Sequence, residues 1–144
     1  MSGPTTIDLF AGCGGLTRGF ADAGFHHVAA NELDVAAASS FAANFGEAGV
    51  TSGDVADFVD VPRADVVVGG PPCQGFSQIG TRNPKDPRNS LWREYMRVVL
   101  AANPQVFVLE NVGRFCKSAE FELLMGELST GSLRRWKHVS VGVV

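Results

Sequence analysis

The feature that most constrains the fold is the alternation of short, apolar, β-branched runs with segments of helical pattern. The strand-like runs are Thr5–Phe10, His27–Ala30, Asp65–Val68 and Val106–Leu109. The helical segments are Gly15–Ala23, Asp34–Phe45 (ended by Gly46), Leu91–Ala102 (ended by Asn103-Pro104) and Ser118–Leu128. Because strands that alternate with helices are joined by right-handed crossovers, the sequence predicts an α/β fold with a mostly parallel, doubly wound sheet. The last two strands lack polar alternation, so we expect both to be buried on both faces.

Length and composition indicate one globular domain, which we predict to span residues 1–144. The chain has 144 residues, of which 45% are hydrophobic and 19% are charged, enough to build a real core. It contains no apolar stretch of the roughly 20 residues that a membrane span needs, and Asp8 interrupts any signal-like segment. We therefore predict a cytoplasmic protein that does not enter a membrane.

The three cysteines are Cys13, Cys73 and Cys116, and no two of them form a close pair. This spacing predicts neither a metal site nor a disulfide framework. Each cysteine must therefore be considered singly.

Charge is divided unevenly along the chain. Residues 1–69 contain two basic and nine acidic residues, whereas residues 70–144 contain ten basic and six acidic residues. A cofactor-binding half followed by a half that faces a polyanion would have this distribution, and so would two differently charged solvated faces.

A glycine-rich loop, Phe10–Gly15, leaves the first predicted strand and enters a helix. Glycines at such a turn let the backbone approach a ligand closely, although a tight turn needs glycine for steric reasons as well. The loop lacks the spacing that binds a pyrophosphate, and no Lys or Arg follows as in a P-loop, so a cofactor without phosphates fits better. Glu32, at the end of the second strand, can accept hydrogen bonds from ribose hydroxyls. The alternative is a charge at a helix N-terminus, a role that Asp34 could equally fill.

The segment Gly69–Ser77 is more specific because it presents Cys73 directly after two prolines and before Gly75. A nucleophilic cysteine needs surroundings that favour its thiolate. The alternative is a small buried apolar side chain. The Pro-Pro turn and the long polar stretch Gln78–Asn89 favour the nucleophile.

Glu110 follows the apolar run Val106–Leu109. A buried carboxyl group at this strand end can stay protonated and donate a proton, and the alternative is an ion pair with an arginine. Asn111 either caps the next turn or orders the loop that carries Cys73.

Six segments together resemble the first six motifs of the cytosine-C5 DNA methyltransferases, most of all the bacterial modification enzymes. The segments are Asp8–Gly15, Glu32, Gly53-Asp54, Gly70–Ser77, Asn89–Leu91 and Glu110–Val112. They occur in family order between Thr6 and about Gly113. The resemblance implies a Rossmann-like fold that binds S-adenosyl-L-methionine (AdoMet) and methylates DNA, without a metal, within a restriction-modification system.

Carried over residue by residue, the resemblance makes Cys73 the nucleophile that adds to C6 of a flipped-out cytosine and Glu110 the acid that engages N3. It makes Glu32 the ribose acceptor and Asp54 the partner of the adenine amino group. The full cofactor set is Phe10, Ala11, Gly12, Gly14, Gly15, Glu32, Asp54, Pro72 and Leu91. The expected contacts to DNA or the base are Pro72, Gln74, Ser77, Arg88 and Asn111.

Two departures accompany the resemblance. Leu33 follows Glu32 where some relatives place an aromatic side chain. The chain also ends before the family's Gln-x-Arg-x-Arg strand, its target-recognition region and its last segment. We therefore expect an amino-terminal part that needs a complementing piece, either a second polypeptide or a missing carboxyl-terminal half, and a tail, Leu133–Val144, that starts a further, poorly paired strand. Two alternatives stay open: a tRNA cytosine-C5 methyltransferase, and a catalytically silent AdoMet-binding module.

Overall fold

A computed structural model describes residues 3–72, 90–136 and 138–142 of the chain. Its strands are β1 (Thr5–Leu9), β2 (His26–Glu32), β3 (Val50–Ser52), β4 (Val66–Gly69) and β5 (Val106–Leu109). Its α-helices are α1 (Gly15–Asp22), α2 (Val35–Phe45), α3 (Leu91–Ala102) and α4 (Ala119–Ser129). The predicted site residues Cys73, Gln74, Ser77 and Arg88 lie outside the described residues.

The described strands form one parallel five-stranded sheet in the order β3-β2-β1-β4-β5. Leu9, the last residue of the central strand β1, is level with Asn31 on one side and with Gly69 on the other. The carboxyl ends of all five strands therefore meet at one edge of the sheet, which we call the carboxyl edge. This topology confirms the predicted Rossmann-like, doubly wound α/β fold.

The chain divides into two compact units. The sheet unit comprises the described residues of Met1–Pro71 and Trp92–Glu110, and the second unit comprises those of Pro72–Leu91 and Asn111–Val144. In the sheet unit Thr6–Leu9 of β1 and all of β4 are buried, and Val67 and Val68 of β4 and Val98 and Val99 of α3 have no exposed surface. Burying β4 on both faces explains its continuous apolar sequence.

In the second unit, Ser118 caps α4, since its side chain accepts a hydrogen bond from Phe121 N at 3.2 Å. The rings of Phe115 and Phe121 meet edge to face with their centroids 5.6 Å apart. Leu124, Leu128 and Leu133 complete the buried apolar group of this unit. Helix α4 therefore lies where the sequence predicts a helix, and it buries Leu124 and Leu128.

The helix ends confirm the predicted capping residues. The side chain of Asp34 accepts a hydrogen bond from Ala37 N at 2.8 Å and caps α2, which ends at Gly46 with φ at 95°. Helix α3 ends where Asn103 adopts a left-handed conformation with φ at 52° and Pro104 follows. Local capping chemistry therefore fixes both helices.

Three predictions differ from the structure. Strand β3 is absent from the predicted set, because it has three residues and exists through its pairing with β2. The prediction that β5 is buried on both faces is wrong, since Val106 and Val108 are 53% and 40% exposed. Among the described strands β5 pairs with β4 alone and forms an edge of the sheet. The predicted strand in the tail is also wrong for residues 138–142, because an extended segment becomes a strand only by pairing with another.

Among the residues described, no helix combines the length and the apolar character that crossing a bilayer requires.

Candidate cofactor and catalytic site

The glycine loop after β1 contains an unusual run of left-handed backbone. Phe10, Gly12 and Gly14 have φ of 56°, 54° and 94°. This conformation is uncommon for a residue with a side chain and costs of order 1 kcal/mol or more at a residue such as Phe10. The loop is anchored where Ala11 N donates to Asn31 O on β2 at 3.1 Å. A backbone that turns sharply at the end of a central strand presents its polar groups at the carboxyl edge.

Gly14 has a packing role as well as a conformational one. A Cβ on Gly14 would overlap the ring of Phe45 and lie 3.0 Å from Cδ2 of Phe41. Gly15 begins α1. The steric explanation for glycine, which the sequence left open, therefore applies at Gly14, whereas Gly12 has open space around it.

The carboxylate of Glu32 joins two loops at the carboxyl edge. Its Oε2 accepts from Gly12 N at 2.8 Å, and its Oε1 accepts from Asp34 N at 2.7 Å. Since the side chain of Asp34 caps α2, the helix does not need Glu32 as its cap. Each carboxylate oxygen keeps a further lone pair that can accept a hydroxyl hydrogen.

Asp54 lies just beyond β3, at the same edge. Gly53 N donates to Glu32 O at 2.9 Å, and the buried side chain of Asn31 donates to Gly53 O at 3.2 Å. Asp54 Oδ1 accepts from Ala56 N at 2.9 Å and caps the short 3-10 turn Val55–Asp57. The side chain is exposed, and among the described residues no donor reaches its Oδ2.

Asp8 is a buried acid that does not belong to the predicted site residues. It is 1% exposed, and its Oδ2 accepts from both the backbone N (3.1 Å) and the hydroxyl (2.7 Å) of Thr17 in α1. Within the described part of the chain no donor reaches its Oδ1. Burial raises the pKa of Asp8 to about 6, partly offset by the two Thr17 hydrogen bonds, and the charge of Glu32 raises it further. The sequence contains a signal for this buried pair: an aspartate within a predicted strand, followed by a helix whose third residue is threonine.

Glu110 follows β5 at the carboxyl edge. Its backbone N donates to Gly69 O at 2.9 Å, and its side-chain Oε2 would lie 2.9 Å from a Cβ on Gly70. The expectation of a buried carboxyl is wrong, because Glu110 is exposed at the end of an edge strand. Among the described residues no arginine or lysine forms an ion pair with it. A glycine at position 70 leaves room for the carboxyl group.

Three of the predicted site residues that the structure describes belong to the second unit. Pro72 and Leu91 are half-buried, and Leu91 is the first residue of α3. Asn111 Oδ1 accepts a local hydrogen bond from Val112 N at 2.9 Å. One role predicted for Asn111 is to order the loop that carries Cys73. Cys73 and the residues that follow it in that loop lie outside the described residues.

The sheet unit thus brings the glycine loop, Glu32, Asp54 and Glu110 to one edge of a parallel sheet. Ligands of doubly wound sheets bind at this edge. The fold is that of the Rossmann-like, AdoMet-dependent methyltransferases.

The chain belongs to the C-5 cytosine-specific DNA methylase family, whose model matches residues 4–129. It is 43% identical over 112 residues to the Type II methyltransferase M.DdeI of Desulfomicrobium norvegicum, covering 74% of this chain and 27% of that protein. It is 42% identical over 121 residues to the Type II methyltransferase M1.HphI of Haemophilus parahaemolyticus, covering 76% of this chain and 32% of that protein.

Among solved structures, a DNA modification methyltransferase encoded within an E. coli prophage superposes with a TM-score of 0.70 at 32% identity. The superposition covers 90% of this chain and 38% of the other. The chain spans about a third of the length of the curated relatives that it matches.

Proposed function

We propose that the chain carries the cofactor-binding and nucleophile-bearing part of an enzyme that transfers a methyl group from AdoMet to C5 of cytosine in DNA. The observation that carries the proposal is the position of Glu32 and Glu110 at the carboxyl edge of one parallel sheet, within the region that matches the family. A ribose acceptor and a proton donor for the base are needed at one cleft, and parallel strands supply both from their carboxyl ends.

The residues at the glycine loop fit AdoMet. Glu32 offers a carboxylate to the ribose hydroxyls, and Leu33 beside it is an apolar side chain that is 68% exposed and available to the adenine face. The basic residue nearest the loop in sequence, Arg18, forms an ion pair with Asp22 at 3.0 Å. A nucleoside without phosphates suits such a donor set, and Asp54 Oδ2 is an acceptor for the adenine amino group. When bound, AdoMet supplies an electrophilic methyl group.

The residues of this chain make C5 of cytosine able to accept that group. C5 is a poor nucleophile until the Cys73 thiolate adds to C6, while the Glu110 carboxyl engages N3 and stabilises the electron density that reaches the ring. After C5 is methylated, a base removes the C5 proton. The electron pair of that C–H bond forms the C5–C6 double bond, and the Cys73 thiolate leaves C6. Cys73 and Glu110 are thus required at one base at the same time.

The proposal includes the expected partners. Gln74, Ser77, Arg88 and Asn111 contact DNA, and Pro72 lines the base pocket. A second polypeptide or a carboxyl-terminal half of the domain completes the enzyme. The apolar β5 edge supports this expectation, because Val106 and Val108 are exposed and β5 pairs on one side only among the described strands. The cytoplasm remains the predicted location.

The test is methyl incorporation from tritiated AdoMet by the chain alone and by the chain mixed with the carboxyl-terminal part of a Type II methyltransferase. Duplex DNA and tRNA are offered in parallel, and Glu110→Gln serves as the impaired control. We expect labelling of DNA in the mixture, with a loss of at least about a hundredfold in Glu110→Gln.

The other outcomes identify the alternatives. Preferential labelling of tRNA would support the tRNA methyltransferase and overturn the DNA substrate. Binding of S-adenosylhomocysteine (AdoHcy) without labelling of either nucleic acid would support the silent module and overturn the proposed activity.

A further inference from the structure

Arg97, near the middle of α3, binds the turn that follows Asp54. Its Nη2 donates to Val55 O at 2.7 Å, and its Nη1 donates to Phe58 O at 3.2 Å. These two carbonyls lie at the start and just beyond the end of the 3-10 turn Val55–Asp57. The planar guanidinium therefore bridges both ends of the turn.

The guanidinium has a fixed orientation on a rigid helix. Its Nε donates to Glu94 Oε2 at 2.7 Å, one helical turn earlier, and both side chains are about one-third exposed (37% and 34%). Helix α3 is anchored by Tyr95, which is fully buried and whose hydroxyl lies 2.9 Å from both Val67 O and Val108 O. Arg97 thus connects the Asp54 turn to the two strands that end at Gly69 and Leu109.

Besides Arg97, the turn is held by its two buried side chains and by the hydrogen bonds that tie Gly53, just before it, to β2. Val55 and Phe58 are buried, at 4% and 6% exposure, but Asp54, Ala56 and Asp57 are exposed. The hydrogen bonds of Asp54 are local: its side chain accepts from Ala56 N, and its carbonyl accepts from Asp57 N at 3.0 Å. Short 3-10 turns of this kind are intrinsically weak, so outside contacts decide their position.

We propose that Arg97 is a positioning residue for cofactor recognition, which fixes the Val55–Asp57 turn and thereby aims the Asp54 carboxylate at the adenine amino group. The inference rests on the proposed cofactor site. Arg97 lies on the far side of the turn and touches no part of the cofactor. It nevertheless determines selectivity for adenine. The geometric reason is that a carboxylate misplaced by about 1 Å forms a weaker hydrogen bond to a given donor.

The test compares binding of two ligands to the 144-residue chain by calorimetry: AdoHcy, and its analogue with hydrogen in place of the adenine 6-amino group. One hydrogen bond accepted by a carboxylate is worth about tenfold in this comparison. We expect the unsubstituted chain to prefer AdoHcy by about tenfold and Asp54→Ala to lose the preference. Arg97→Met is expected to retain less than about a third of this preference for AdoHcy.

Two further variants separate positioning from general damage. Arg97→Lys keeps the charge but can reach only one of the two carbonyls well, so we expect an intermediate preference. Arg93→Met removes an exposed arginine from the same helix and should leave the preference unchanged. A residue that merely stabilises the fold would weaken binding of both ligands equally. Hydrogen exchange of the Ala56 amide in the ligand-free chain should accelerate in Arg97→Met and Arg97→Lys but not in Arg93→Met.

The failures are distinguishable. If the unsubstituted chain binds neither ligand, the proposed cofactor site is wrong and this inference falls with it. The unsubstituted chain could instead prefer AdoHcy, with Arg97→Lys and Arg97→Met showing the same preference. In that case the cofactor site stands and the role of Arg97 is refuted.

Discussion

Glu32 Oε2 accepts a hydrogen bond from the backbone N–H of Gly12 at 2.8 Å, which ties the end of β2 to the glycine loop that follows β1. Gly12 has φ of 54°, so the bond depends on a left-handed backbone. The same carboxylate is the expected acceptor for the ribose. A single side chain therefore both shapes the loop and offers lone pairs to the ligand.

Glu32→Gln should weaken AdoHcy binding by about ten- to a hundredfold, which corresponds to one or two charge-assisted hydrogen bonds. The amide nitrogen of Gln would face the N–H of Gly12 or of Asp34, so the loop would also lose part of its support. Calorimetry on the folded variant measures the change. Glu47→Gln, an exposed substitution of the same charge in the same unit, should bind AdoHcy normally. Equal affinity in Glu32→Gln would remove Glu32 from the cofactor site.

Asp8 makes the free energy of unfolding depend on pH, and its contribution decreases as pH rises. Because burial raises the pKa of Asp8 from 3.8 to about 6, the unfolded chain releases this proton first as pH rises. The contribution of Asp8 is therefore fully favourable below pH 3.8 and declines until pH exceeds about 6. The free energy of unfolding of Asp8→Asn minus that of the unsubstituted chain should grow by roughly 2 kcal/mol between about pH 4 and 7. Urea unfolding at a series of pH values measures it.

Asp65 supplies a control of opposite sign. Hydrogen bonds from the backbone and hydroxyl of Thr5 lower the pKa of Asp65, so its ionised form stabilises the fold above its unfolded pKa. Asp65→Asn should therefore be less stable than the unsubstituted chain at neutral pH, and the difference should shrink as pH falls through the folded pKa. The same trend in both variants would contradict the assignment to Asp8.

Adjacent glycines at the end of β4 should respond differently to alanine. A Cβ on Gly70 would meet the mobile end of a side chain, Glu110 Oε2, at 2.9 Å. Gly70→Ala should therefore displace the carboxyl and slow methyl transfer by about tenfold or more, while changing the free energy of unfolding by less than about 1 kcal/mol.

A Cβ on Gly69 would instead lie 2.5 Å from the backbone carbonyl of Leu9 and 3.1 Å from Cε2 of Tyr95. Gly69→Ala should destabilise the fold by about 1–3 kcal/mol. Thermal unfolding and single-turnover methylation in the complemented enzyme measure the two effects. Full methylation by Gly70→Ala would count against a catalytic position for Glu110.

Local chemistry made much of the fold predictable. The cap of α2 at Asp34, its end at Gly46 and the end of α3 at Asn103 follow from side-chain and backbone preferences near each position. Strand β3 and the exposure of β5 did not follow, because one depends on pairing with β2 and the other on its position at the sheet edge. Strand order is a non-local property.

The candidate site divides in the same way. The positions of Glu32 at the end of β2 and of Glu110 just after β5 could be predicted, because parallel strands end at one edge. The bonds from Asp8 to Thr17 and from Arg97 to Val55 and Phe58 could not be predicted. They join side chains to groups 9 to 42 residues away whose approach only the packed fold determines.

The most direct test of the account is covalent capture on a duplex that contains 5-fluorocytosine, in the presence of AdoMet and the complementing polypeptide. Fluorine at C5 blocks the elimination that releases the enzyme, so a thiolate adduct at C6 persists through denaturing electrophoresis. We expect a protein–DNA adduct at Cys73. Cys73→Ser should abolish the adduct while retaining AdoHcy binding, and Cys13→Ser and Cys116→Ser should still form it. Undiminished adduct or equal methyl transfer in Cys73→Ser would contradict this expectation.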